Sequence, residues 1–314
     1  LNYVTLGSTG IRVSRLCFGT LTMGPLQRNL PLTMGAGLLE SAFSQGVNFL
    51  DTAELYGTYP YIKEALRVKP DAVVCTKSYS YDAKTAEASF RKAVEGIGRE
   101  YVDLFLLHEQ ESEHTIRGHW EAVEYFLKRK REGLIGAVGL STHYVAAVAG
   151  ANKYPELEAV FPLYNMAGIG IADGSEADML REMRRARERN KGVFVMKPLG
   201  GGHLLHSRAE ALRFVLEEPA AQAVAVGMQS AAEVEYNCAV FSGETPGEEL
   251  ALRIAAQPRS LLVQDWCEGC GNCVRRCKNH AMTLVNGKAR VDAGKCALCG
   301  YCAATCPQFC IKVI

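Results

Sequence analysis

Cys267, Cys270, Cys273 and Cys277 form one C-x2-C-x2-C-x3-C run, and Cys296, Cys299, Cys302 and Cys306 form a second, twenty-nine residues further on. That spacing suits a pair of [4Fe–4S] clusters. Three thiolates from one short loop can cap three corners of a cubane, while the helical turn that follows carries the fourth cysteine away to the other cluster. By this rule Cys267, Cys270, Cys273 and Cys306 hold one cluster, and Cys296, Cys299, Cys302 and Cys277 hold the second. Structural zinc could use the C-x2-C pairs, but the spare cysteines at matching offsets would then have no purpose. The segment is an internal repeat: CEGCGNCVRRCKNHAMTL answers CALCGYCAATCPQFCIKV, each half ending in an apolar strand. Cys310 falls where Ala281 stands in the first half, so it is expected to be a small packed residue and not a ligand. Pro307 follows the second run, whereas Lys278 stands at the matching place after the first. From Trp266 onward there are seven Lys or Arg against two Asp or Glu, and part of that surplus balances the anionic clusters.

Four polar residues farther upstream define a second chemistry. Asp51 ends the apolar run VNFLDT, Tyr56 follows it, Lys77 ends AVVCTK and His108 ends VDLFLLH. Singly, each has a plain structural use. On consecutive strand ends of one face they can converge, and together they suit carbonyl reduction. A hydride added to a ketone or aldehyde leaves an alkoxide, which needs a proton donor. Tyr56 can supply it; an ammonium at Lys77 is expected to lower the phenol's pKa, Asp51 to hold Lys77 by a charge-assisted hydrogen bond, and His108 to orient the carbonyl.

The elements that must position these residues alternate short apolar runs with longer amphipathic stretches. Eight strands are expected, at 15–20, 47–52, 72–77, 102–108, 135–141, 159–165, 192–197 and 223–228, with helical periodicity between them at 85–98, 116–133 and 176–190. Eight β/α units predict a (β/α)8 TIM barrel over residues 1–258, whose chemistry lies at the C-terminal strand ends. A doubly wound nucleotide-binding sheet would need G-x-G-x-x-G after an early strand, and none is present. NYVTLGSTGIRV reads as a hairpin able to plug the barrel's bottom. TPGEELALRIAAQPRS reads as a further helix and a linker, leading to a small α+β ferredoxin-like domain over 259–314.

The chain has 314 residues, 48% of them hydrophobic, and a net charge of +1, the profile of an ordinary globular protein. No basic surplus suggests nucleic acid, and no apolar run approaches the roughly 18 to 20 residues of a membrane span. LNYVTLGSTG lacks the regions of a signal peptide, so a cytoplasmic setting is expected; clusters and reduced thiols fit a reducing, anaerobic interior. Cys17, Cys75 and Cys238 stand alone in apolar stretches and are expected to be inert and buried.

The motifs LDTAELYG, VVCTKS and LFLLHEQ, with the C-terminal cysteine runs, resemble the aldo/keto reductase family in the branch that carries a C-terminal ferredoxin-like domain. The resemblance covers essentially the whole chain. It implies that Asp51, Tyr56, Lys77 and His108 are the catalytic tetrad, and that NAD(H) or NADP(H) binds without a Rossmann fold. KPLGGGHLL resembles the family's pyrophosphate-binding turn, which nominates Leu199 and Gly200. VGMQSAAEVEYN resembles the adenosine-binding segment, which nominates Gly227, Gln229, Ser230 and Asn237. Ser141 and Thr142 stand where many members have Ser-Asn for the carboxamide, and Phe161 stands where many have Gln. Glu233 replaces a common basic residue; it is either a surface residue of an amphipathic helix or a carboxylate that a 2′-phosphate would meet, and the second reading favours NADH.

Three functions remain open at this level. The first is an NAD(P)-linked oxidoreductase for a small-molecule carbonyl or alcohol, its clusters structural or relaying. The second is an enzyme fed electrons by a partner ferredoxin, which needs a one-to-two-electron converter such as flavin; no motif for one is evident. The third is a non-catalytic nucleotide sensor that docks a redox partner. Pocket walls are expected from 22–29 and 109–118, with the cluster domain packed near the catalytic face.

Overall fold

The computed structural model describes residues 1–314. A short antiparallel hairpin, β1 (Tyr3–Thr5) and β2 (Arg12–Ser14), opens the chain. Eight parallel strands follow: β3 (Leu16–Gly19), β4 (Phe49–Asp51), β5 (Val73–Ser78), β6 (Val102–Leu107), β7 (Ile135–Thr142), β8 (Ala159–Pro162), β9 (Gly192–Met196) and β10 (Ala223–Gly227). They pair in chain order, and β10 pairs with β3 to close a barrel. The (β/α)8 expectation is met. Alternation along each strand divides the core in two. Phe18, Leu50, Val74 and Phe105 face the surrounding helices, while Cys17, Phe49, Cys75, Leu104, Phe161 and Phe194 fill the barrel. Leu6 and Val13 of the hairpin join that interior from below, as expected of a plug.

The helices form where apolar residues recur at helical spacing. In Ala83–Ile97 the buried Ala86, Phe90, Ala93 and Ile97 make one stripe; Asp82 and Thr85 form a capping box, and Gly98 at φ +76° ends it. The single helix expected over 116–133 is two, Glu113–Gly118 and Trp120–Arg131. His119 separates them, its Nδ1 lying 2.7 Å from the Thr115 carbonyl oxygen. The helix expected after the eighth unit is Glu248–Ala255.

The C-terminal region contains β11 (Leu261–Val263), β12 (Met282–Val285), β13 (Lys288–Val291) and β14 (Ile311–Val313), paired β11 with β14 and β12 with β13, all antiparallel. Its repeat is visible in the backbone. Gly269 and Leu298, Gly271 and Gly300, and His280 and Phe309 are three pairs of left-handed residues at the repeat spacing. This region has its own small core around Ile311, Met282 and Ala303. Phe309, however, belongs to the barrel interior, so a residue of the C-terminal region stoppers the barrel's upper end.

Candidate active site

Asp51 and Lys77 end or nearly end neighbouring strands, and both side chains point into the barrel's upper end. Lys77 Nζ donates to Asp51 Oδ1 at 2.5 Å and to the Thr52 carbonyl at 2.6 Å; the side chains are 0% and 8% exposed. The same ammonium lies 4.9 Å from the centre of the Tyr56 ring. Tyr56 stands at the end of the 3-10 turn Glu54–Tyr56, and Gly57 at φ +65° turns the chain after it. The Tyr56 ring meets His108 edge-on, centroids 5.7 Å apart. His108 in turn stacks on Tyr79 at 4.6 Å. The four expected residues are therefore brought together on one face.

Their electrostatics depart from the sequence expectation in one respect. Desolvation in the cleft pushes the Tyr56 phenol above its ordinary pKa, with Lys77 only partly offsetting this, so the net shift is upward and not toward the phenolate. The ring stays protonated at neutral pH. Burial, reinforced by Lys77 and Lys197 and opposed by Glu109, pushes His108 down to about 3. The imidazole is neutral, and its Nδ1 has no partner in the protein.

Beside this cluster a groove runs across the ends of β3, β9 and β10, bordered by Leu199, Gly227, Gln229, Glu233 and Asn237 among others. A Cβ at Gly227 would come within 2.3 Å of the Thr22 side chain, so only glycine keeps the strand end this open. Asn237 Oδ1 is buried without a partner, an acceptor aimed at nothing the protein supplies.

Other nominated residues lie elsewhere. Gly200 is buried behind the groove, its N–H donated to the Lys197 carbonyl at 2.9 Å, while Gly201 and Gly202 form the wall. Ser230 caps helix Ala231–Phe241, accepting from Glu233 N at 3.2 Å and Gln257 Nε2 at 2.6 Å. Ser141 and Thr142 hold the loop after β6, Ser141 Oγ accepting from Glu109 N at 3.0 Å and Thr142 Oγ1 donating to Gln110 O at 2.5 Å. Neither borders the groove or the adjoining cavity; His143 does. Phe161 is stacked on Phe194 at 4.1 Å inside the barrel.

Glu233 is not the free carboxylate that the sequence suggested. Arg259 pairs with it, Arg208 lies 3.6 Å from the same oxygen, and Gln229 N donates to the other at 2.7 Å. The expected repulsion of a 2′-phosphate loses its basis, because two guanidinium groups face the same end of the groove.

A cavity of about 480 Å³ adjoins the groove at Leu21, Gln27, Tyr56, Lys197 and Lys312. Tyr79, His108, His143 and loop residues Leu26 and Gln27 form its barrel side. Trp266, Gln308, Phe309 and Lys312 of the C-terminal region form the other. That region thus packs over the barrel face that carries Tyr56 and His108, held by His203 Nε2 at 2.9 Å from the Ile311 carbonyl and by Val313 against Gly202.

Several of these residues were missed. Lys197 follows β9, and the strand-end argument applied to Asp51 and Lys77 reaches it too. Tyr79, Glu109 and His143 flank nominated residues. Lys312 gives no such signal, since in the sequence it is one lysine in a short apolar strand.

Cys267, Cys270, Cys273 and Cys306 border one small cavity, the four thiols expected to share one cluster. Thiols spread around a void suit a polynuclear cluster better than a tetrahedral ion. Burial pushes the Cys302 thiol up, and Cys273, Cys296 and Cys299 add to it. Cys310 is buried as expected, but it is not remote: its sulfur lies 3.4 Å from Cys306 Sγ and borders the same cavity.

Comparison with known proteins agrees with this geometry. Residues 15–210 match the profile of the aldo/keto reductase family, and residues 261–307 match the 4Fe-4S dicluster domain. L-galactose dehydrogenase of Arabidopsis thaliana is 25% identical, the match covering 76% of this chain and 87% of that protein. 6-Dehydroglucose reductase of Novosphingobium aromaticivorans is 24% identical, covering 83% and 92%. A solved Pseudomonas aeruginosa protein, provisionally assigned to the aldo-keto reductases, superposes with a TM-score of 0.67 at 26% identity, over 77% of this chain and 95% of that one. The chain belongs to the aldo/keto reductase family and carries a 4Fe-4S dicluster domain behind its barrel.

Proposed function

We propose that the protein interconverts a carbonyl and an alcohol with a nicotinamide nucleotide, Tyr56 serving as proton donor to the carbonyl oxygen. The observation that carries this is the meeting of Asp51, Lys77, Tyr56 and His108, with Tyr56 and His108 at the cavity wall. The bound nucleotide supplies the hydride. Neutral His108 offers an N–H to the carbonyl oxygen, and the raised pKa of Tyr56 keeps its proton available until negative charge develops on that oxygen. Lys77, held by Asp51 and Thr52 and lying over the ring at 4.9 Å from its centre, then stabilises the resulting phenolate. One relative is named as a dehydrogenase and another as a reductase, which supports reading the chemistry in both directions.

The adenosine end of the groove fits the nucleotide: Gly227 leaves room, Asn237 Oδ1 offers an unused acceptor, and Arg208 and Arg259 can face phosphate. Leu199, Gly201 and Gly202 would border the pyrophosphate. The preference between NADH and NADPH then depends on how readily Glu233 releases the arginines. Residues 1–258 are read as the barrel domain and 259–314 as the cluster domain, with two [4Fe–4S] clusters held by Cys267, Cys270, Cys273 and Cys306 and by Cys296, Cys299, Cys302 and Cys277. The soluble reading, a cytoplasmic enzyme of an anaerobic interior, rests on the cysteine chemistry; no helix is long and apolar enough to cross a membrane.

One observation favours a second reading, in which a partner's electrons reach the barrel through the clusters. Trp266 and Pro307, which border the substrate cavity, are the chain neighbours of Cys267 and Cys306. Anaerobic reconstitution followed by titration with NADH and NADPH, a flavin assay, and turnover with carbonyl substrates separates the readings. NAD(P)H-driven turnover with clusters that stay in one redox state supports the first; turnover only with dithionite or reduced ferredoxin supports the second.

A further inference from the structure

Four lysines of this protein are at least largely enclosed near its core, and two of them have a single hydrogen-bond partner each. Lys77 has Asp51 and the Thr52 carbonyl, and Lys191 has the carbonyls of Tyr154 and Leu157, both at 2.6 Å. Lys197 and Lys312 have no carboxylate within 4.0 Å. Lys197 Nζ touches only His143 Nε2, at 2.6 Å, and Lys312 Nζ donates only to the Phe309 carbonyl. An ammonium has three donors, so each keeps two. Uncompensated buried charge of this kind is costly, and proteins retain it where a ligand completes it.

The two lysines come from opposite sides. Lys197 follows β9, and Lys312 lies in β14 of the cluster domain, 6% exposed. Both ammonium groups lie over the ring of Phe309, Lys197 at 5.0 Å from its centre. Both lysines border the groove as well as the cavity, but the groups they touch, His143 and Phe309, border the cavity alone, so the free donors stand where the two spaces meet, on the cavity side. Lys197 holds a left-handed backbone at φ +59°, as does Glu109 at +51° on the same wall. Such strain in non-glycine residues concentrates where a side chain must be aimed.

Glu109 is the nearest anion, and it is already engaged. It accepts the Tyr79 hydroxyl and lies 4.0 Å from His143, with its side chain 44% exposed. Glu111 reaches only the rim. Two lysines, Lys197 and Lys312, and two glutamates, Glu109 and Glu111, border the cavity; the glutamates are solvent-exposed and the lysines are not, so the positive groups stand at its enclosed end. Burial, opposed by Glu109 and aided by Lys77, lowers Lys197 to about 8, and burial with Lys197 nearby lowers Lys312. An anion placed between them would relieve both.

We propose that the cavity takes carbonyl compounds, or the matching alcohols, that carry a carboxylate, gripped between Lys197 of the barrel and Lys312 of the cluster domain. This deepens the carbonyl-reduction reading and rests on it. It also gives the cluster domain a part in substrate choice that is independent of electron transfer.

The test compares carboxylic and neutral forms of one substrate. A panel of 2-oxo acids and ω-carboxy aldehydes is assayed against the corresponding methyl esters with the anaerobically reconstituted full-length enzyme, for wild type, Lys197→Met and Lys312→Met. The expected result is an acid-over-ester ratio of kcat/KM of about tenfold or more in wild type that falls about tenfold in each variant. Because the ratio is internal, a general loss of activity does not imitate it. Wild type that prefers esters, or ratios unchanged in both variants, overturns the proposal. NADPH and NADH binding is measured alongside; variants that lose nucleotide affinity while keeping the ratio assign the lysines to the nucleotide's phosphates and also overturn it. If neither acids nor esters turn over, the reduction reading has failed, and calorimetric titration with oxamate still decides the anion site. Binding weakened about tenfold in both variants supports it, and no binding to wild type sinks it.

Discussion

Two buried ion pairs bracket the groove above the barrel, and they are built from different parts of the chain. Asp51 and Lys77 lie on adjacent strands and are 8% and 0% exposed, so that pair is fixed as long as the barrel is closed. Glu233 and Arg259 join the helix after β10 to the segment leading into the cluster domain, at 7% and 14% exposure, with Arg208 as a second cation. Under the proposed function, the first pair would hold the proton donor's site rigid and the second would tie nucleotide binding to the position of the linker. A charge pair within one scaffold preorganises, and a pair across a connection can exchange its partner for a ligand.

The largest expected effect comes from breaking the fixed pair. Lys77→Met leaves the Asp51 carboxylate buried without its cation, which typically costs about 3–5 kcal/mol, so denaturant unfolding should show a loss of that order and turnover should fall about 10²-fold or more. A variant of unchanged stability would show that water or another cation reaches Asp51.

The cluster ligands come next. Reconstituted protein should contain about eight irons per chain. Cys310→Ala should retain them, whereas Cys306→Ala combined with Cys310→Ala should lose about half. The double variant is needed because Cys310 lies 3.4 Å from Cys306 and can replace it as a ligand. Loss of iron from Cys310→Ala alone would reverse the ligand assignment.

The exchangeable pair should yield a smaller change. Arg259→Ala should weaken NADPH about tenfold relative to NADH, near 1.4 kcal/mol, and Glu233→Gln should shift preference the other way. Equal weakening of both nucleotides would mean that Arg259 does not meet the 2′-phosphate.

The smallest effects are in pH profiles. A cation whose pKa is lowered is deprotonated above the lowered value, so His108 at about 3 should give kcat/KM no limb near 6.5. Lys197 loses its proton as pH rises through about 8; kcat/KM for a carboxylate substrate should therefore decline there while that of its ester does not.

Sequence reading reached the barrel because its two signals, apolar strands and helical stripes, are local. It reached Asp51, Tyr56, Lys77 and His108 because residues at successive strand ends must share a face once the barrel closes. It went wrong over Glu233, whose meaning depends on Arg259 arriving from the linker, and over Ser141 and Thr142, whose hydroxyls are taken by the loop after β6. The Tyr56 pKa also moved the other way, since desolvation depends on how much protein surrounds the ring and not on which cation is nearby. Lys312 was out of reach altogether, because its place follows from how β14 docks on the loop after β9.

The central claim, that Tyr56 passes a proton to a substrate carbonyl during nucleotide-dependent reduction, is tested most directly by single-turnover oxidation of NADPH and NADH in wild type and Tyr56→Phe. The account predicts a carbonyl-dependent step slowed about 10²-fold or more in the variant, with nucleotide affinity nearly intact. An undiminished step in Tyr56→Phe would contradict it.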